Sequence, residues 1–203
     1  MIVFRNNKLV YISLNKHAST FHKKLFTDLN WEKIEFCSID WETDTVFAHI
    51  LNPFDKHLKA TAEAIYRNNF QKLFDDPNLS KIAAWGILDY HAIPVVAMLG
   101  EEVCSKIDWI PLDGPIESNI LTTKFFQHHN IPVDITNRQK IYVSDSTKKG
   151  YVNLIKDLIN KHGTGSGIDM FYARDYYFYN QVVNKFNFNG NTWEEISWLK
   201  NIR

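Results

Sequence analysis

A lysine, a histidine and two hydroxyl side chains follow an apolar run near the start of the chain. The run is YISL (residues 11–14), the polar stretch is NKHAST (residues 15–20), and helical spacing begins at Thr20. The start of a helix exposes unpaired N–H groups and the positive end of the helix dipole, so it attracts anions. Lys16 adds a full charge, and Ala18 leaves room for close approach to the backbone. The stretch is a candidate anion site, although Ser19 and Thr20 are also ordinary helix caps.

Strands and helices alternate along the rest of the chain. Apolar runs predict strands at 9–14, 34–37, 45–51, 107–112 and 140–143, and helical spacing predicts helices at 20–29, 54–74, 116–129, 147–162 and 169–186, with a short last helix from 192. Gly163 is predicted to cap one helix in a left-handed conformation, and GTGSG (163–167) is predicted to be a flexible break. The alternation predicts one α/β domain over residues 1–203, with a three-layer, mostly parallel central sheet flanked by helices. Because ligands bind beyond the carboxyl ends of parallel strands, the loops after 9–14 and 45–51 are expected to meet at one edge.

Composition narrows the classes of partner. The chain has 203 residues, with 23 basic and 23 acidic side chains, so its zero net charge favours neither nucleic acid nor an anionic membrane. Cys37 and Cys104 lie far apart and show no metal-ligand spacing, which predicts a reducing, cytoplasmic location without a disulfide framework. The longest apolar run, 93–99, is far below the ~20 residues that span a bilayer.

Three later stretches could serve the same chemistry. They are LNPFDKHLK (51–59), DYHAIP (89–94) and MFYARDY (170–176). Together with NKHAST they resemble, in the same order, four motifs of the sulfotransferases, especially the carbohydrate sulfotransferase branch. Those motifs are P-K-[NTC]-[AG]-[ST]-[ST], R-[DN]-P-x-x-R-x-x-S, D-x-H-x-x-P-Q and Y-x-x-D-Y. The chain departs from them with Asn15 for proline, Leu51 for arginine, Lys59 for serine and Val95 for glutamine.

The resemblance implies a sulfotransferase or P-loop NTPase-like fold and a defined donor. The donor is 3′-phosphoadenosine 5′-phosphosulfate, its sulfuryl group passes to a hydroxyl on a small molecule or carbohydrate, and no metal is expected. Lys16 would neutralise charge on the bridging oxygen, and His91, beside Asp89, would act as the base, with His17 as the second candidate. The implied donor-binding residues are Lys16, His17, Ala18, Ser19, Thr20, Asn52, Lys56 and Lys59.

Several alternatives remain open at this point. Lys56 and Lys59 would hold the 3′-phosphate in place of the missing arginine, with help from His49 or His57, or they form only a solvated helix face. His91 is either the base or a structural residue beneath the pocket. The departure at Leu51 also permits a non-catalytic nucleotide- or glycan-binding relative. WGILD (85–89) resembles a Walker B strand, which would suit a small-molecule kinase, but the sequence lacks the glycines of a Walker A motif.

Overall fold

The computed structural model describes most of the chain, which divides into two compact units. The described residues are 1–17, 19–68, 76, 78, 80–81, 84, 90–112, 115–136 and 146–185. The first unit comprises Met1–Leu51, Glu102–Ile141 and Phe178–Arg203, and the second comprises Asn52–Glu101 and Tyr142–Tyr177. Within the described ranges, no helix has the length and apolar character that a membrane crossing requires.

The first unit is built on a mixed five-stranded sheet with flanking helices. In the described residues the strands are β1 (Ile2–Asn6), β2 (Leu9–Ser13), β3 (Glu32–Ile34), β4 (Thr45–Ile50) and β5 (Asp108–Pro111). Their order across the sheet is β3-β1-β2-β4-β5. The strands β2, β4 and β5 run parallel to one another, whereas β1 is antiparallel to both β2 and β3. The strand β2, from which the predicted anion loop leaves, therefore has a parallel partner on one side and an antiparallel partner on the other.

The apolar runs identified three of these strands correctly. All five residues of β2 are buried, as expected for a strand that is covered on both faces. The strand β1 was not predicted; it forms a hairpin with β2 through a turn in which Asn7 has a φ of 53°. The strand predicted at 34–37 is wrong, because β3 ends at Ile34 and Phe36–Ser38 forms a 3-10 turn. The strand predicted at 140–143 lies outside the described residues.

The helices predicted from 20, 54, 116 and 147 begin within one residue of their predicted starts, whereas the helix predicted over 169–186 is divided at Tyr172 between two helices. The described helices are α1 (Ser19–Asp28), α2 (Pro53–Arg67), α3 (Val95–Leu99), α4 (Glu101–Ser105), α5 (Pro115–His128), α6 (Ser146–His162), α7 (Gly165–Phe171) and α8 (Ala173–Lys185). Gly163 is confirmed as a left-handed residue, with a φ of 62°. The flexible break predicted at 163–167 is wrong, since α7 begins at Gly165 and buries Ile168 in the core. The helix predicted to reach residue 74 is wrong at its end, because α2 stops at Arg67 and Asn68 caps it. The helix predicted from 192 lies outside the described residues.

Aromatic side chains form the core beneath the parallel strands of the first unit. Tyr11 of β2 lies 4.4 Å, centroid to centroid, from Phe26 of α1. Phe47 of β4 lies 4.6 Å from Phe125 of α5. Because Tyr11 and Phe47 are register partners, α1 and α5 pack on the same face of the sheet. This packing fixes where α1 begins relative to the end of β2.

The second unit has its own apolar core. Leu58 and Ile65 of α2 pack with Ile155 and Ile159 of α6, and Ile168 of α7 belongs to the same cluster. Leu58 and Ile65 are seven residues apart and Ile155 and Ile159 are four apart, so each pair lies on one face of its helix. One face of α2 packs in this core, and the first turns of that helix carry the motif of residues 51–59.

Candidate functional site

The predicted anion loop occupies the turn between β2 and α1. Lys16 is half-buried and has a φ of 64°, a left-handed conformation that is uncommon for a residue with a long side chain. Such conformations cost on the order of 1 kcal/mol or more and are concentrated at functional sites. Directly after this turn α1 begins at Ser19, and Thr20 is exposed. Ala18 and the side chain of Ser19 lie outside the described part of the loop.

His17 points into the protein rather than out of the loop. Its side chain is 1% exposed, and its Nδ1 accepts a hydrogen bond of 3.0 Å from the backbone N–H of Leu51. A ring nitrogen that accepts from an N–H carries no proton, so the imidazole is neutral with its proton on Nε2. This bond ties the loop to the residue that follows β4. His17 is therefore poorly placed to be the base, the second role predicted for it.

Three buried polar side chains, from α1, β4 and α5, contact one another in the first unit. The rings of His22 and His49 are stacked with centroids 3.8 Å apart. Thr122 Oγ1 donates to the carbonyl of Ser118 at 2.7 Å, so the 2.9 Å contact between it and His49 Nε2 is a bond that His49 donates. His49 is fully buried and therefore unsuited to the phosphate contact considered for it. Neither His22 nor Thr122 lies in a motif, so no sequence pattern singles them out.

Asn52 begins α2 as its cap. The Asn52 side-chain oxygen accepts from the N–H groups of Phe54 at 2.9 Å and Asp55 at 3.3 Å, and Pro53 occupies the first helical position. Asparagine caps of this type stabilise helices, and proline suits the first turn. The same residues that resemble a phosphate motif thus have a complete structural explanation as a helix start.

Lys56 is buried, contrary to both readings of the sequence. Its side chain is 3% exposed, and its Nζ donates to the carbonyl of Ile93 at 2.5 Å. The Nζ lies 3.9 Å from Asp175 Oδ2 and 5.9 Å from the centre of the Tyr172 ring. Burial lowers the pKa of Lys56 to about 8, and the charge of Asp175 opposes that shift. Lys56 therefore belongs neither to a solvated face nor to an open phosphate site, whereas Lys59 is exposed.

Asp175 and Tyr172 complete a polar cluster with Lys56. Asp175 accepts hydrogen bonds from the N–H groups of Val95 at 2.7 Å and Val96 at 2.9 Å, at the start of α3. Burial raises the pKa of Asp175, while Lys56 and the two amides act in the opposite direction. The Tyr172 hydroxyl donates to the carbonyl of residue 92, and burial, with a smaller contribution from Asp175, raises the Tyr172 pKa. We call Lys56, Tyr172 and Asp175 the clamp.

The clamp joins three of the four motifs. Lys56 comes from the second motif, Tyr172 and Asp175 from the fourth, and their partners at residues 92–96 from the third and just beyond it. Four of these contacts end on backbone groups of the 92–96 segment. The clamp therefore fixes the path of the chain directly after His91.

His91 lies in the 3-10 turn Tyr90–Ala92 and is 7% exposed. The exposed Tyr90 ring lies 4.0 Å from the His91 ring, centroid to centroid. Asp89, its predicted partner, and the Walker B-like stretch 85–89 lie outside the described residues. His57 is 1% exposed, neither of its ring nitrogens has a hydrogen-bond partner in the described structure, and burial lowers its pKa to about 4. It is a neutral core residue, so it supplies no charge to a phosphate.

Two further findings bear on identity. In the described ranges, no cluster of three or more His, Cys, Asp or Glu side chains is arranged to hold a metal ion. No protein-family model, curated protein or solved structure matches this chain.

Proposed function

We propose that the chain is a sulfotransferase that moves a sulfuryl group from 3′-phosphoadenosine 5′-phosphosulfate to a hydroxyl acceptor, with carbohydrates as the favoured acceptor class. The observation that carries the proposal is the corner between β2 and α1, where a left-handed Lys16 immediately precedes the start of a helix. The corner stands at the carboxyl end of a central parallel strand, where α/β sheets bind ligands. The motif resemblance supplies the chemistry of the ligand.

The reaction is an in-line displacement. A bond forms between the acceptor oxygen and sulfur, the bond between sulfur and the bridging phosphate oxygen breaks, and the acceptor proton passes to a base. Lys16 would neutralise the charge that develops on the bridging oxygen, and amides at the start of α1 would hold the nonbridging oxygens. The base remains His91 with Asp89, an assignment that rests on the resemblance.

The residues at the motif for the donor's 3′-phosphate differ from the family pattern. Leu51, at the position of the family's arginine, is buried, and its N–H is bound to His17. Lys56 is engaged in the clamp, so Lys59 is the exposed lysine of that motif. A single lysine gives a point charge without the bidentate geometry of arginine, so we expect weaker selection for the 3′-phosphate.

The test measures sulfate transfer from labelled donor to a panel of sugars. We expect Lys16→Ala to lower kcat/KM by about 10²-fold or more, in the range found when one charge-stabilising group is removed. Lys24→Ala is the matched control, because Lys24 is an exposed lysine on α1. Equal loss in both variants, or no loss in Lys16→Ala, contradicts the role of the loop.

A non-catalytic relative is the second candidate function. It is favoured by the burial of Leu51 and Lys56, which leaves the 3′-phosphate motif short of cations. Calorimetry with 3′-phosphoadenosine 5′-phosphate separates the two: micromolar binding favours the enzyme, and no detectable binding at millimolar nucleotide favours the non-catalytic relative. Magnesium-dependent ATP consumption would instead favour the kinase.

A further inference from the structure

We propose that His17 is a positioning residue that sets the anion loop by accepting a hydrogen bond from Leu51. The proposal rests on the proposed function and adds a residue whose side chain does not touch the donor. His17 follows Lys16 directly, and its ring turns inward to the backbone at the end of β4. The neutral tautomer with its proton on Nε2 is the form this bond requires.

Two bonds hold His17 in place from opposite sides. Its backbone N–H donates to the carbonyl of Leu14 at 3.3 Å, which closes the turn on the β2 side. Its ring accepts from Leu51 at 3.0 Å on the β4 side. The strands β2 and β4 are parallel neighbours in the sheet, so both anchors belong to one rigid frame. With His17 held at two points, Lys16 has little freedom to leave its left-handed conformation.

Losing the ring acceptor has two consequences. The Leu51 N–H is left in a buried setting without its partner, which carries a desolvation penalty. The loop also keeps only one of its two anchors, so an anion must then order Lys16 and the following amides when it binds. Affinity falls when a site is not preorganised, because binding then includes the cost of ordering.

The test compares His17→Leu with His17→Asn. Leucine has a similar size and no acceptor, while the Oδ1 of asparagine is attached to Cγ as Nδ1 is in histidine. Calorimetry with 3′-phosphoadenosine 5′-phosphate measures affinity, amide hydrogen exchange reports the Leu51 N–H, and nitrogen NMR of the imidazole reports the tautomer. We expect His17→Leu to bind about tenfold more weakly and to exchange Leu51 faster, and His17→Asn to stay within about threefold of the wild type.

The outcomes separate this proposal from the function on which it rests. A wild-type protein that does not bind the nucleotide removes the proposed function, and the role of the loop with it. A wild type that binds, together with a His17→Leu variant that binds equally well, removes only the role of His17. Wild-type His17 protonated on Nδ1, or a His17→Asn variant as weak as His17→Leu, also overturns the proposal.

Discussion

Replacing Asp175 by alanine should destabilise the protein by about 4 kcal/mol. The change leaves the buried N–H groups of Val95 and Val96 without their carboxylate, at about 1–3 kcal/mol for each unpaired group. It also removes the carboxylate that faces the buried Lys56. Burial of the Lys56 charge, which lowers its pKa from 10.5 to about 8, already costs about 3 kcal/mol in the wild type. Without Asp175 this cost is limited to about 5 kcal/mol at pH 7, because Lys56 then loses its proton. The unpaired Lys56 therefore adds at most about 1–2 kcal/mol to the loss of stability, and the two unpaired amides account for most of that loss.

The assay is urea unfolding at pH 7 followed by circular dichroism. Asp175→Asn keeps one acceptor oxygen, so we expect about half of the loss seen with alanine. Arg174→Ala is the control: Arg174 is the preceding residue and its ion pair with Glu101 is solvent-exposed, so its removal should change the free energy of unfolding by less than about 1 kcal/mol. A loss below about 1 kcal/mol for Asp175→Ala would refute the reasoning about the clamp.

Two further predictions concern the second unit. Asn52→Ala should lower the free energy of unfolding by about 1 kcal/mol, because α2 loses the acceptor for two of its first N–H groups; an unchanged urea midpoint would contradict the cap. Between about pH 8 and pH 10.5 the unfolded chain binds more protons at Lys56 than the folded protein does, so stability should rise with pH there by up to about 3 kcal/mol. Lys56→Met should lack that part of the pH dependence, and identical curves for the two proteins would show that Lys56 titrates normally.

The three parallel strands could be predicted because they are apolar on both faces. The runs that form β2, β4 and β5 are almost wholly buried, and strands buried on both faces are apolar throughout, which is the pattern that the sequence shows. The strand β1 carries Arg5 and ends at Asn6, directly before Asn7, so composition did not distinguish it from a loop. The glycines of 163–167 suggested a break, because each glycine in a helix is about 1 kcal/mol less favourable than alanine. The burial of Ile168 outweighs this cost, and α7 forms.

The turn between β2 and α1 was predictable in position and not in detail. A polar stretch between a buried run and a helical spacing correctly marks the turn at Lys16, but nothing in it shows that His17 points inward. The burial of Lys56 could not be predicted because its partners, Ile93 and Asp175, come from distant parts of the chain. A sequence shows that a lysine lies on a helix; only the packing of other segments decides whether that face reaches solvent.

The most direct test of the central claim is a crystal structure of the protein grown with 3′-phosphoadenosine 5′-phosphate. We expect the 5′-phosphate at the turn between β2 and α1, within hydrogen-bond distance of Lys16 Nζ and of backbone N–H groups at the start of α1. Nucleotide bound elsewhere, or a Lys16 side chain turned away from a bound phosphate, would contradict it.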